Sequence, residues 1–223
     1  MMIKYCIFDL DGTLLDTLDT ITYYVNATLG AHGIEPITRD ECSRFVGNGA
    51  RRLIKSALEY RGVTDEPFSE ATLSEYLGRY NSNPYHLTRP YEGIERLVAE
   101  LVEKGIKLAV LSNKQHSSTC DAIAHFFPEG SFTLVYGGRD SLPLKPSAEA
   151  VVPILSELGA EPSECAYVGD SEVDVKTAIN FGAALPIAVL WGFRTREELR
   201  SAGAVRFASH PSEILTMIAE FPK

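Results

Sequence analysis

The sequence is short of positive charge. Its 21 lysines and arginines face 30 aspartates and glutamates, a formal charge of −9, and no basic stripe runs along the chain. Broad binding to nucleic-acid backbones is therefore excluded, while an anionic substrate held by a few local cations stays open. Long apolar runs are missing too. Nothing approaches 18 continuous apolar residues, and no basic leader precedes an apolar stretch, so neither a membrane span nor a signal peptide is expected and the chain is expected in the cytoplasm. Cysteine is sparse: Cys6, Cys42, Cys120 and Cys165 are scattered without metal-like spacing and read as reduced thiols. His32, His86, His116, His125 and His210 show no ligand spacing either and read as structural or surface, with His116, close behind a polar strand end, as the exception. There is no internal repeat and no low-complexity segment.

What is present is an apolar run that stops on two acids, Ile7-Phe8-Asp9-Leu10-Asp11-Gly12-Thr13-Leu14. The residues from Ile3 to Phe8 read as a buried strand entering a tight turn. In extended chain, residues i and i+2 point the same way about 6.5 Å apart, so Asp9 and Asp11 are expected to flank one small group, their mutual repulsion raising the pKa of one of them. Gly12 can take positive φ and aim backbone N–H groups at an anion. By itself the stretch is equally an acidic turn joining a strand to a helix.

From Asp16 to Pro84 no convincing strand appears. Leu18, Ile21, Val25 and Leu29 recur at helical spacing, Thr38 and Glu41 fit a capping box, and two further helices follow, through Leu53 to Leu58 and through Leu73 to Tyr80. Beyond Pro84 helix and strand alternate, with strands at Ile106–Leu111, Phe132–Tyr136, Cys165–Val168, Ile187–Leu190 and around Phe207. That pattern predicts an α/β fold, a Rossmann-like parallel sheet flanked by helices, carrying an inserted all-helical cap. The expected partition is 1–14 and 86–223 for the core and 15–85 for the cap. Ser112-Asn113, Lys145 and Gly169-Asp170 each fall just after a strand's carboxyl end, the edge where open parallel sheets bind ligands. Taken singly, each is more simply a helix cap, a solvated loop or a turn. Trp191 and Phe193 read as loop packing, and Gly47-Asn48-Gly49 lacks the strand and lysine of a phosphate loop.

Taken together, these residues resemble the haloacid dehalogenase superfamily of phosphatases over essentially the whole length. The first motif stands as DLDGTL from Asp9, the second as LSNK at Leu111–Lys114, the third as Lys145 in LKP, the fourth as GDSEVD from Gly169 to Asp174. The resemblance implies that Asp9 is a nucleophile attacking phosphorus and Asp11 the general acid and base. It implies Mg²⁺ held by the Asp9 carboxylate, the Asp11 backbone carbonyl and Asp170, with Asp174 orienting the site. Ser112 and the backbone around Asn113 would bind the transferring oxygens, and Lys145 would add charge there. Asp11 argues against a dehalogenase, since that branch lacks an acid at this position.

Phe45–Arg52 and Arg89–Gly93 resemble phosphoglycolate phosphatases, which implies that Asn48 and Arg51 or Arg52 meet a substrate carboxylate. Ser147-Ala148 departs from that subfamily. The expected partner is a small phosphorylated metabolite, on a monomer or homodimer. A pyrophosphatase, a broad sugar-phosphate or nucleotide phosphatase, a phosphomutase and a non-enzymatic regulatory module remain as alternatives.

Overall fold

In the computed structural model, which describes residues 2–221, the apolar run before Asp9 forms β1 (Tyr5–Phe8), buried at all four positions. A strand buried on both faces belongs inside a sheet covered by helices. The chain then makes β2 (Leu15–Asp16) and four helices, α1 (Leu18–Ala31), α2 (Arg39–Phe45), α3 (Gly49–Tyr60) and α4 (Glu66–Ser82), and returns through β3 (Arg89–Pro90). Alternation follows: α5 (Ile94–Glu103), β4 (Lys107–Gln115), α6 (His116–Phe126), β5 (Leu134–Gly138), α7 (Val152–Leu158), β6 (Cys165–Gly169), α8 (Glu172–Phe181), β7 (Leu185–Val189), α9 (Arg196–Ser201), β8 (Phe207–Ala208) and α10 (Pro211–Ala219). Six strands form one sheet in the order β5-β4-β1-β6-β7-β8, parallel throughout.

The period of two along the strands divides the core. Cys6, Phe8, Leu108, Val110, Ala166 and Val168 face the side covered by Ile94, Leu97 and Ile214. Tyr5, Ile7, Ala109, Leu111, Cys165 and Tyr167 face the side covered by Ile154, Leu158 and Ala178. Each large apolar side chain so buried contributes roughly 1.5–3 kcal/mol relative to exposure. Register then places the polar residues. Phe8 lies opposite both Val110 and Val168, so the chain leaves β1 and β6 at one edge, delivering Asp9 and Asp170 side by side.

The helical insertion has its own core, built on Val25, Leu29, Ile54, Ala57 and Leu58. The expected capping box at Thr38 and Glu41 opens α2, and Asp65 caps α4 by accepting from Phe68 N–H. Two-residue strands join insertion to core: Leu15 pairs with Pro90 and Asp16 with Arg89, antiparallel. Sequence periodicity cannot register strands that short. One detail differs from the sequence reading. β4 runs on to Gln115 with a register shift between Leu111 and Gln115, so Ser112 and Asn113 extend the strand rather than follow it. On α7 and α8, Val152 and Ile179 are exposed, while Val151, which follows the short 3-10 turn Ala148–Ala150, and Ile154 are buried. No helix among the described residues is long and apolar enough to cross a membrane.

Candidate active site

The turn after β1 is fastened by its own backbone. Leu10 carbonyl accepts from the N–H groups of Thr13, Leu14 and Leu15 at 3.3, 3.0 and 3.0 Å, and Trp191 Nε1 donates to Thr13 carbonyl at 3.0 Å. Gly12 has φ +85°, and a Cβ there would fall 2.4 Å from Asp170 Oδ2; only glycine allows the turn to close on that carboxylate.

The tight turn also overturns one expectation. Asp9 and Asp11 line one pocket, but the turn after Phe8 gives their carboxylates different cations, and mutual repulsion is not what perturbs Asp9. Asp9 Oδ1 lies 2.8 Å from Lys145 Nζ and accepts from Leu10 N–H at 2.7 Å. Asp11 Oδ1 lies 3.3 Å from Lys114 Nζ. Burial pushes the Asp9 carboxyl well up, the charge of Asp174 and then of Asp170 adding to it while Lys145 opposes. The neighbour two residues away is not the cause.

Asp170 leaves β6 with Oδ1 accepting from Thr13 Oγ1 at 3.0 Å and Oδ2 accepting from Phe193 N–H at 2.8 Å. It is 1% exposed. Burial, then the charge of Asp174, push its carboxyl up to about 7. Asp174 sits in the first turn of α8, accepting from Lys145 Nζ at 2.7 Å, Tyr167 hydroxyl at 3.0 Å and Ser171 Oγ at 2.5 Å. Burial presses its pKa upward, but Lys145 and then the two hydroxyls outweigh it and hold the group ionised, below the usual carboxylate range.

The second motif divides its labour. Ser112 lines the pocket above Asp9. The Asn113 side chain is committed elsewhere: Nδ2 donates to Gly47 and Lys145 carbonyls, both at 3.0 Å, and Oδ1 accepts from Lys145 N–H at 2.8 Å. It fixes the Lys145 loop to the strand end and to the insertion. Lys114, which the sequence presents only as the flank of that motif, reaches the pocket and donates to Tyr80 hydroxyl of α4 at 2.6 Å.

The roof of the pocket comes from the insertion, through Ile21, Val46, Leu53, Tyr76, Leu77 and Tyr80. Asn48 and Arg51 do not line it. They border a neighbouring open cleft with Arg52 and Arg139, and Arg51 is paired with Glu70 on α4. Trp191 and Phe193 part company. Trp191 packs on the sheet core, whereas Phe193 packs on the insertion and lines the pocket. Arg194 beside it donates to Ser43 and Val46 carbonyls at 2.5 and 3.0 Å and to Glu172 at 2.8 Å, clasping the end of α2. His116 lies outside the pocket; its Nδ1 accepts from Gly137 N–H at 3.2 Å.

Carboxylate oxygens of Asp9, Asp170 and Asp174 lie within 4.8 Å of one another. Three buried acids against the single ammonium of Lys145 leave an excess of negative charge, and an all-oxygen donor set suits a hard divalent cation. Each Asp174 oxygen accepts two hydrogen bonds, Oδ1 from Lys145 and Tyr167 and Oδ2 from the N–H and Oγ–H of Ser171, whereas each Asp170 oxygen accepts one, so Asp9 and Asp170 are the pair with more capacity left to hold a metal ion.

Residues 6–188 match the model of the haloacid dehalogenase-like hydrolases. A phosphoglycolate phosphatase of Aquifex aeolicus is 32% identical, over 85% of this chain and 86% of its own, and one of Rhodobacter capsulatus 37% identical over 82% of each. An N-acetylmuramic acid 6-phosphate phosphatase of Pseudomonas aeruginosa is 30% identical over 98% of this chain and 96% of its own. A crystal structure from Lactobacillus delbrueckii subsp. bulgaricus superposes with a TM-score of 0.92 at 29% identity, covering 98% of this chain and 99% of that one. With motif order, sheet topology and relatives in accord, the chain belongs to the haloacid dehalogenase-like hydrolases and is one of their phosphatases.

Proposed function

We propose that the protein is a Mg²⁺-dependent phosphomonoester hydrolase that works through a phospho-aspartate on Asp9, with phosphoglycolate as its substrate. The observation that carries this is the junction of Asp9, Lys145 and Asp170 at one sheet edge, 2.8 Å separating Asp9 Oδ1 from the Lys145 ammonium. Oδ1 is the oxygen already engaged, so Oδ2 is the one that attacks phosphorus, and the bond to the ester oxygen breaks as the new one forms. Asp11 gives its proton to the departing alkoxide and then takes one from the water that attacks the phospho-aspartate, releasing inorganic phosphate. Such acid and base work is worth about 10²–10⁴ in rate. Ser112 Oγ–H and neighbouring backbone N–H groups hold the transferring oxygens while Lys145 supplies positive charge beneath them. Asp9, Asp170 and the Asp11 carbonyl would hold Mg²⁺, whose charge lets a phosphate dianion approach this acidic site.

Two observations support the small substrate. Relatives at 32–37% identity are phosphoglycolate phosphatases, and the space above Asp9 measures about 80 Å³, room for a handful of waters at roughly 10–15 Å³ each. The second reading, a larger sugar phosphate, is favoured by the open cleft that adjoins this pocket along Asn48 and Arg139. Residues 15–85 would act as a lid on the core formed by 1–14 and 86–223. A panel of phosphate esters ranked by kcat/KM with Mg²⁺ and with EDTA tests the proposal. Phosphoglycolate should head the panel and EDTA should silence it; a sugar phosphate at the head selects the second reading, and inertness throughout favours a regulatory module.

A further inference from the structure

The phosphoglycolate reading needs a cation for the carboxylate, and the arginines of the insertion lie off the pocket. Among the described residues lining it, the cations are Lys114 and Arg194. Arg194 already donates to two carbonyls and a carboxylate. Lys145 is held between Asp9 and Asp174 with its side chain 1% exposed, at the phosphoryl end. Lys114 is differently placed. Its side chain is 12% exposed, its contacts to the Asp11 oxygens are long at 3.3 and 3.5 Å, and one short bond goes to Tyr80 hydroxyl. An ammonium has three donors, so it retains capacity for an incoming oxygen.

Position makes this specific. The acid that protonates the leaving alkoxide has to lie beside the ester oxygen, so a cation against Asp11 lies over the first atoms of the leaving group. Resting on the phosphoglycolate reading, we infer that Lys114 is the specificity-determining residue for an anionic group carried one carbon beyond the ester oxygen. Tyr80, delivered by α4, props the ammonium from the insertion side, its ring centroid 4.5 Å from Nζ. The substrate class is then a short phosphorylated hydroxy acid, recognised by the core strand end and not by the arginines of α3.

The test compares phosphoglycolate with 2-hydroxyethyl phosphate, which replaces the carboxylate by a neutral hydroxymethyl, on wild type, Lys114→Gln, Lys114→Arg and Tyr80→Phe. In Lys114→Gln both esters should lose kcat/KM because Asp11 loses its neighbour, but the anionic-to-neutral ratio should fall by a further ten- to a hundredfold, about the worth of one charged hydrogen bond. The fall should be carried by KM for the anionic ester. Lys114→Arg should restore most of the ratio. Tyr80→Phe, which keeps the ammonium, should leave the ratio at or above wild type, and this arm stands even where Lys114→Gln does not fold. A wild-type preference that survives in Lys114→Gln, or a ratio that falls in Tyr80→Phe, overturns the inference alone. A wild type that treats the two esters alike overturns both the inference and the phosphoglycolate reading.

Discussion

Lys145 Nζ lies 2.7 Å from Asp174 Oδ1, both side chains 1% exposed, and the same ammonium touches Asp9. One cation therefore serves two buried acids far apart in sequence, one just after β1 and one in the first turn of α8. Removing it leaves charges with nowhere to go. Lys145→Ala is expected to cost about 3–5 kcal/mol in urea unfolding, the usual loss when a buried pair is broken from one side. Adding Asp174→Asn should return part of that loss, since contacting residues couple; strictly additive losses would refute the shared role.

Asp9→Asn tests the nucleophile. The amide keeps the shape, and its carbonyl oxygen can still accept from Leu10 N–H, but it does not attack phosphorus. Phosphate release should fall by roughly 10³ or more, as for other lost nucleophiles, with the circular dichroism unchanged. Incubation of the wild type with substrate and rapid acid quench should trap a phospho-enzyme that the variant never forms. Full activity in Asp9→Asn would remove the mechanism.

Asp170 sets a pH dependence. Its folded value, about 7, stands above its ordinary 3.8, so the native chain binds more protons than the unfolded one between those values. The metal-free protein should thus lose stability from this group as pH rises across that window, and the cost should be complete above it. A divalent cation needs the ionised carboxylate and relieves the same cost. The gain in Tm from Mg²⁺ over EDTA should accordingly be larger at about pH 8 than at about pH 5.5. In Asp170→Asn it should nearly vanish. An equal gain at both pH values would contradict the assignment.

Strand ends are legible in the sequence because apolar runs that stop on polar residues are local signals, and Asp9, Ser112 and Asp170 stand out that way, whereas Lys145, in the loop beyond β5, stands out only through the motif that it resembles. Side-chain direction is not legible. Arg51 carries the right chemistry for a carboxylate, yet Glu70 on the next helix holds it. Asp9 and Asp11 have the spacing of a pair, yet the turn at Gly12 separates their partners. Lys114 looked like the edge of a motif because its two partners, Asp11 and Tyr80, lie far from it in sequence. The junction of insertion and core at Leu15–Asp16 and Arg89–Pro90 has two residues to a strand, below any periodicity.

Gly192 is the least conspicuous residue at the site, a loop glycine between Trp191 and Phe193. A Cβ there would meet Asp170 Cβ at 2.2 Å and Oδ2 at 2.5 Å, distances that no side-chain rotation relieves because the clash begins at Cβ. Either the loop or the carboxylate must shift. The loop is held by Trp191 Nε1 to Thr13 and by Arg194 to the end of α2, so the displacement should fall on Asp170 and on its bond from Phe193 N–H. Gly192→Ala is therefore expected to weaken Mg²⁺ binding at least about tenfold while the fold persists, by analogy with other changes in the support of a metal ligand. Titration of Mg²⁺ against activity and against Tm should both report the shift. A variant that binds Mg²⁺ as the wild type does would mean the loop yields instead, and that Asp170 is held by Thr13 alone.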